Sequence, residues 1–206
     1  MMYGAWKISR LADPIVTIFG GSRIDQHNKY ARQAHELGHA LIKDDISVIT
    51  GGGPGIMRAA SCGASHEMRK ALKARSIGIS VEGLEGEVAS NECDTDYFVM
   101  RQFFSRKWLM INYSVAFAVF PGGFGTLDEL AEILTLIQTK KLSGSPVVLI
   151  GVSYWKPFVD WLHETVLQQG LITQEELQLF KVTDDLDHAR FLLKEHCKAC
   201  VDTTKK

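Results

Sequence analysis

The sequence predicts an α/β fold in which a mostly parallel sheet is covered by helices on both faces. Three observations carry this prediction. Short apolar, β-branched runs recur along the 206 residues and are separated by longer segments of helical period. Strands that alternate with helices in this way pair in parallel, because each return crossing takes a helix over a face of the sheet. The runs ending at Phe19, Thr50 and Phe120 each lead directly into a glycine-rich turn. In such a fold these turns meet at the carboxyl edge of the sheet, where ligands bind.

Each element follows in order. Ile15 to Phe19 is a strand that ends in Gly20-Gly21-Ser22-Arg23. A helix from about Asn28 to Lys43 carries Ala34, Leu37 and Leu41 on one face. Ile46 to Thr50 is the second strand, followed by Gly51-Gly52-Gly53-Pro54-Gly55-Ile56-Met57. The next helix bears Ala59, Ala60, Gly63 and Ala64, small residues suited to lying close on a sheet. Ser76 to Val81 reads as a strand, and Glu82 to Glu92 as a surface loop able to act as a flap. Tyr97 to Met100 is a short strand and Phe103 to Tyr113 a helix.

The apolar run Val115 to Phe120 is a buried strand. It opens into Pro121-Gly122-Gly123-Phe124-Gly125-Thr126-Leu127-Asp128-Glu129, and a helix follows to about Lys140. Thr126 and Glu129 have the Thr-x-x-Glu spacing of a capping box, which offers Glu129 a purely structural role. Pro146 to Ile150 is a strand, and Trp155 to Gln168 a helix that stops at Gly170. A short element near Glu175, a strand over Phe180 to Val182 and a helix from Asp184 to about Glu195 complete the fold. The whole chain, 1–206, reads as one domain, with 1–13 an amino-terminal arm and 197–206 a frayed tail.

Composition narrows the function. Apolar residues make up 46% and charged residues 23%, and the net charge is −1. That is an ordinary globular composition with no basic stripe, so nucleic acid is not an expected partner. The longest apolar runs have strand length, so no membrane span is expected. Nothing at the start resembles a secretory signal, and a cytoplasmic location is the expectation. The four cysteines are too few for a disulfide scaffold. Cys197 and Cys200 read as two free thiols in the tail.

The glycine turns carry the chemistry. A strand, a tight turn and a helix start offer backbone N–H groups and a positive helix end to an anion. The spacing fits neither the dinucleotide fingerprint, since Ile56 and Arg58 stand where glycines are needed, nor a P-loop. A single turn of this kind is often just a tight connection. Three at equivalent places point to one anionic ligand, a phosphate first of all. His35 and His39 match a zinc pattern, but they fall opposite the Ala34/Leu37/Leu41 stripe and should face solvent; no metal is expected. Arg106 and Lys107 sit among Phe103, Phe104 and Trp108. That context predicts a partly buried arginine whose partner is Glu129, Glu132 or a ligand.

The pairing of Gly51-Gly52-Gly53-Pro54-Gly55-Ile56-Met57 with Arg106-Lys107 and Pro121 to Glu129 resembles the Lonely Guy family of cytokinin-activating phosphoribohydrolases. Its relatives often carry the label "possible lysine decarboxylase". The resemblance runs from the first strand to about Trp161. It implies a Rossmann-like three-layer fold, a homodimer or larger assembly, no cofactor, and hydrolysis of a nucleoside 5′-monophosphate to free base and ribose 5-phosphate. It assigns catalysis to Arg106 and Glu129. It places the family's neighbouring lysine on Lys107 and its phosphate loop on Gly122, Gly123, Gly125 and Thr126. Gly20, Ser22, Gly52, Gly53, Gly55 and Met57, from the other two glycine turns, are also expected to contact substrate.

Plant members read Met-His-x-Arg-Lys where this chain reads Phe103-Phe104-Ser105-Arg106-Lys107. The part after Ile150, with Tyr154-Trp155, resembles a bacterial branch, and AMP is the first expected substrate. No lysine has a setting suited to a pyridoxal phosphate Schiff base, so the decarboxylase label draws no support from residues. Molybdenum-cofactor carrier proteins share the fold and the glycine turns, which leaves a non-catalytic nucleotide or cofactor binder as the alternative. Leu127, Leu130, Ile133, Leu134, Leu136 and Ile137 wrap much of one helix, more than a single sheet face covers, and predict a helix-mediated homodimer.

Overall fold

A computed structural model describes residues 14–65, 73–83, 91–142 and 144–203. Seven strands form one sheet, all parallel: β1 (Ile15–Phe19), β2 (Ser47–Thr50), β3 (Ser76–Val81), β4 (Asp96–Met100), β5 (Ala116–Val119), β6 (Val147–Ile150) and β7 (Phe180–Thr183). Their order is β4-β3-β2-β1-β5-β6-β7. The order reverses between β1 and β5, which makes that pair the switch point where a doubly wound sheet opens a crevice.

Alternation along the strands separates two cores. Val16, Ile18, Val48, Ala116, Ala118, Val148 and Ile150 face one way. They pack on α1 (Lys29–Lys43), α2 (Ile56–Ser65) and α6 (Leu186–Thr203). Ile15, Phe19, Ile49, Ile77, Phe117, Val119 and Leu149 face the other way. They pack on α3 (Phe103–Asn112), α4 (Phe124–Gln138) and α5 (Val152–Trp161). The three-layer Rossmann-like architecture is therefore as the sequence predicts, with a sheet that is wholly parallel.

The small residues of α2 serve a helix as well as the sheet. A Cβ on Gly38 would meet the Ala60 backbone, and one on Gly63 would meet the His35 backbone. These two glycines let α1 and α2 cross at backbone contact, so Gly38 is a packing residue rather than a weak point. His35 on this helix is exposed and His39 is half-buried.

Three expectations need correction. Cys62 and Cys93 form a disulfide, although they lie 31 residues apart and the cysteine count gave no sign of it. The fold brings the second half of α2 beside the turn that leads into β4, and only tertiary structure reveals that proximity. The last helix, α6, continues to Thr203, well past Glu195, and Cys197 is buried in it, so residues 197–203 are helical rather than frayed. Helix α5 starts at Val152, earlier than Trp155, and runs on through a wider turn at Leu162–Val166 before Gly170 with φ 69°. The amino-terminal arm and most of the Glu82 to Glu92 loop lie outside the described residues.

Candidate active site

The three glycine turns meet at the switch point. Gly21 N donates to the Pro121 carbonyl at 2.9 Å, and Ile56 N donates to the Gly21 carbonyl at 3.2 Å. A side chain at Gly122 would press on Thr126 and on Gly21 N, so the β1 and β5 turns touch through bare backbone. Gly55 has φ 68°, and a Cβ there would lie 2.7 Å from the Ser22 carbonyl oxygen. Only glycine satisfies both conditions at that position. Above this contact α4 begins. Gly123 is its N-cap, and its first N–H groups have no partner within the helix. Gly123 and Gly125 are exposed, and a Cβ on either would meet nothing within 4 Å. The pattern suits an anion at that helix end.

No capping box forms. The cap is Gly123 and makes no side-chain hydrogen bond, while Thr126 lies inside the helix and is 4% exposed. The box fails because the helix starts three residues earlier than the Thr-x-x-Glu spacing suggests. Glu129 is thereby released from the structural role the sequence offered it. It turns inward, with its side chain 12% exposed, towards Arg106.

Arg106 comes from the first turn of α3. Its side chain is 11% exposed, and Nη2 stands 3.9 Å from Glu129 Oε1 and 3.9 Å from Met57 Sδ. A Cβ on Gly51 would collide with Nη2 and meet Cζ, so the guanidinium occupies the space beside that glycine. Arg106 Nε is buried and makes no hydrogen bond. The guanidinium is thus sequestered with most of its donor capacity unused, which is the state of a group awaiting an anion. Its burial has a different origin from the one expected. Phe103 and Phe104 are 55% and 60% exposed, and the cover comes from the β2 turn, Met57 and Glu129.

Burial raises the Glu129 carboxyl from its usual range to about 7, and the nearby Arg106 charge only partly opposes this. A carboxyl that titrates near neutrality and faces an under-used arginine is equipped for acid–base or electrostatic chemistry.

Other expected site residues take distinct places. Lys107 points away from the Arg106–Glu129 pair. Its Nζ is 3.0 Å from Asp128 Oδ2 and 2.7 Å from Glu132 Oε2, which tie α3 to α4. Gly20 is buried under Ile56 and serves close packing. Ser22 lines the side of the edge that faces α1. Gly52, at φ 66°, and half-buried Gly53 continue the β2 turn above Arg106.

Two tyrosines to which the sequence assigned no site role also meet these turns. The Tyr97 ring lies 2.7 Å from where a Cβ on Gly52 would stand, and its buried hydroxyl has no hydrogen-bond partner. The Tyr154 hydroxyl donates to the Gly122 carbonyl and braces the β5 turn. Neither belongs to a glycine motif, so no local pattern marks them.

Fold and site together define a Rossmann-like protein in which three glycine turns converge near a buried arginine–glutamate pair. A family model described as "Possible lysine decarboxylase" matches residues 57–191, and the chain belongs to that family, the Lonely Guy family of the sequence resemblance. A probable cytokinin riboside 5′-monophosphate phosphoribohydrolase of Oryza sativa subsp. japonica is 26% identical over 170 residues, 82% of this chain and 72% of that protein. A cytokinin riboside 5′-monophosphate phosphoribohydrolase of Arabidopsis thaliana is 29% identical over 160 residues, 77% of this chain and 71% of its own length. Among solved structures, the molybdenum cofactor carrier protein of Chlamydomonas reinhardtii superposes with a TM-score of 0.60 at 23% identity, covering 89% of this chain and 98% of the carrier. The molybdenum cofactor binding protein of Rippkaea orientalis gives 0.59 at 20% identity, covering 95% and 99%. These two likenesses are likenesses of fold.

Proposed function

We propose that the chain hydrolyses the N-glycosidic bond of a nucleoside 5′-monophosphate, an AMP-like nucleotide first of all, to free base and ribose 5-phosphate. The observation that carries this is the Glu129 carboxyl, buried, facing Arg106, and held on the helix whose start forms the anion cradle. Relatives named as phosphoribohydrolases support the same reaction class.

The 5′-phosphate sits at the start of α4 and against the glycine turns, with Gly122 to Thr126 around it. Each helix end contributes only about 0.3–2 kcal/mol, so the meeting of several turns matters more than any one. The phosphate is remote from the bond that breaks, and its binding energy holds C1′ beside Glu129. As the C1′–N bond breaks, positive charge grows on the ribose. Ionised Glu129 stabilises that charge and takes a proton from the attacking water, whose oxygen bonds to C1′. The base leaves with the bonding electron pair and takes up the proton that Glu129 removed from the water. Arg106 holds the Glu129 carboxylate in place and offers its spare N–H groups to the nucleotide. Tyr97 presents its unpartnered hydroxyl to the sugar.

The reading includes a homodimer. Phe124, Phe103 and Phe104 are exposed, and Leu127, Leu134, Leu136 and Ile137 of α4 are only partly covered. A second copy would cover this apolar surface and close the site over the base. A monomeric mass by light scattering at micromolar concentration removes the dimer from the proposal.

Incubation of the protein and its Glu129→Gln variant with AMP, GMP, CMP, UMP and isopentenyl-AMP, followed by chromatography, tests the reaction. Base release by the wild type alone is expected. Equal release by both removes Glu129 from the mechanism. Nucleotide-dependent thermal stabilisation without release favours the binder or carrier reading.

A further inference from the structure

We propose a second anion site in the cleft between α1 and α2, on the opposite face of the sheet from the Arg106–Glu129 pair. Its ligand is a small molecule carrying two or more linked phosphate groups. The cavity there has a volume of about 640 Å³, within the range that holds a nucleotide-sized ligand. Arginines from three separate segments line it: Arg23 from the loop after β1, Arg32 from α1 and Arg58 from the start of α2. All three are exposed, and none forms an ion pair with another described residue.

Several other cations of the molecule are paired. Arg190 and Lys194 share Asp44, Lys107 has Asp128 and Glu132, and Lys156 has Asp160. Three guanidiniums in one concavity, none of them paired among the described residues, repel one another, and a polyanion relieves the repulsion. Guanidinium is also the side chain best shaped for bidentate phosphate contact. Two carboxylates share the lining. Asp25 is occupied in its own turn, accepting from His27 N at 2.8 Å, and Glu36 remains to receive a hydroxyl or amino group of the ligand. One phosphate would engage one or two of the arginines, whereas a linked chain of phosphates reaches all three segments. The disulfide at Cys62 anchors the wall of the cleft formed by α2.

Ser22 and Gly55 border this cleft and also belong to the glycine turns, so the two sites share a wall. Arg106 and Glu129 are absent from the lining. A ligand in the cleft is therefore held apart from that pair.

Calorimetric titration of the full chain with tripolyphosphate, in saturating ribose 5-phosphate, tests the proposal. Binding is expected to persist under those conditions, to weaken as salt rises, and to fall at least ten-fold in the Arg32→Gln/Arg58→Gln variant. Glu129→Gln should bind tripolyphosphate as the wild type does. Arg23→Gln repeats the test from the loop, without altering either helix. Absence of binding by the wild type overturns the second site. So does equal affinity in the arginine variants, or displacement by ribose 5-phosphate, which would assign the binding to the glycine turns.

Discussion

Two carboxylates of this protein expose little side-chain surface and face arginines, yet their acidities move in opposite directions, upwards at the more deeply set Glu129 and downwards at Asp44. Asp44, at the end of α1, is 7% exposed in its side chain, and Glu129 is 12% exposed. Burial raises both. At Asp44 it is outweighed. Arg190 Nε and Nη2 donate at 2.7 and 2.8 Å, Lys194 adds a third donor, and the carboxyl is held below its usual range. At Glu129 a single guanidinium stands 3.9 Å away, and the carboxyl rises to about 7. The first pair is satisfied within the chain. The second is left incomplete, and an incomplete buried pair is where a ligand has binding energy to gain.

Removal of an arginine from each pair should give the largest contrast. Arg106→Ala takes a charge from the reacting site, and base release is expected to fall about 10³-fold, on the order of 4 kcal/mol in the transition state. Arg190→Ala should leave turnover nearly unchanged and cost about 1–2 kcal/mol of stability, because it leaves a buried Asp44 short of donors. Steady-state kinetics with denaturant melts on both variants checks this. Equal loss of turnover in the two would remove the distinction between them.

The pH dependence of stability separates the pairs next. Glu129 binds its proton more tightly folded than unfolded, so the folded state is favoured while the group is protonated. That advantage is lost as pH rises from about 4.5 to about 7, and the loss reaches roughly 3 kcal/mol. Glu129→Gln should therefore abolish turnover and also raise the melting temperature at pH 8, with little effect at pH 4.5. Asp44 has the opposite sign. Its stabilisation is present above its unfolded value near 3.8 and is lost as pH falls through the lower folded value. In the wild type, kcat/KM should rise with pH to a plateau above about 7, as the ionised Glu129 appears. A profile flat from pH 5.5 to 8.5 would falsify a titrating Glu129 as the operative group.

The sequence made the sheet legible because buried parallel strands are short, apolar and bounded by glycine, and because period 2 and period 3.6 differ sharply. The glycine turns were equally plain, since tight strand-to-helix turns restrict residue choice. The orientation of Glu129 was not. A Thr-x-x-Glu spacing cannot reveal that Gly123 starts the helix, and so could not say whether Glu129 closes a cap or faces Arg106. The Cys62–Cys93 bond, the arginines between α1 and α2, and the Tyr97 hydroxyl were hidden for the same reason. Each depends on distance between segments remote in sequence, and no local period encodes it.

Glycine substitutions carry the contrast between satisfied and open groups into the backbone. At Gly55 the backbone has φ 68° and the Ser22 carbonyl stands 2.7 Å from a Cβ. Gly55→Ala should cost about 1–3 kcal/mol whether or not a ligand is present, and a thermal melt reads it directly.

Gly123 is the sharper case, and the one with the smallest effect on the fold. Its φ of −92° is open to any residue, and a Cβ there meets nothing within 4 Å. Gly123→Ala should leave the stability of the free protein within about 0.5 kcal/mol of the wild type. If a phosphate sits on the first N–H groups of α4, the added methyl stands where the ligand must approach. KM for the nucleotide should then rise several-fold, and ribose 5-phosphate should stabilise the variant less than the wild type. Alanine at Gly123 with an unchanged KM would mean that nothing approaches this helix end, and the anion cradle would have to be sought at the Gly51 to Gly55 turn instead.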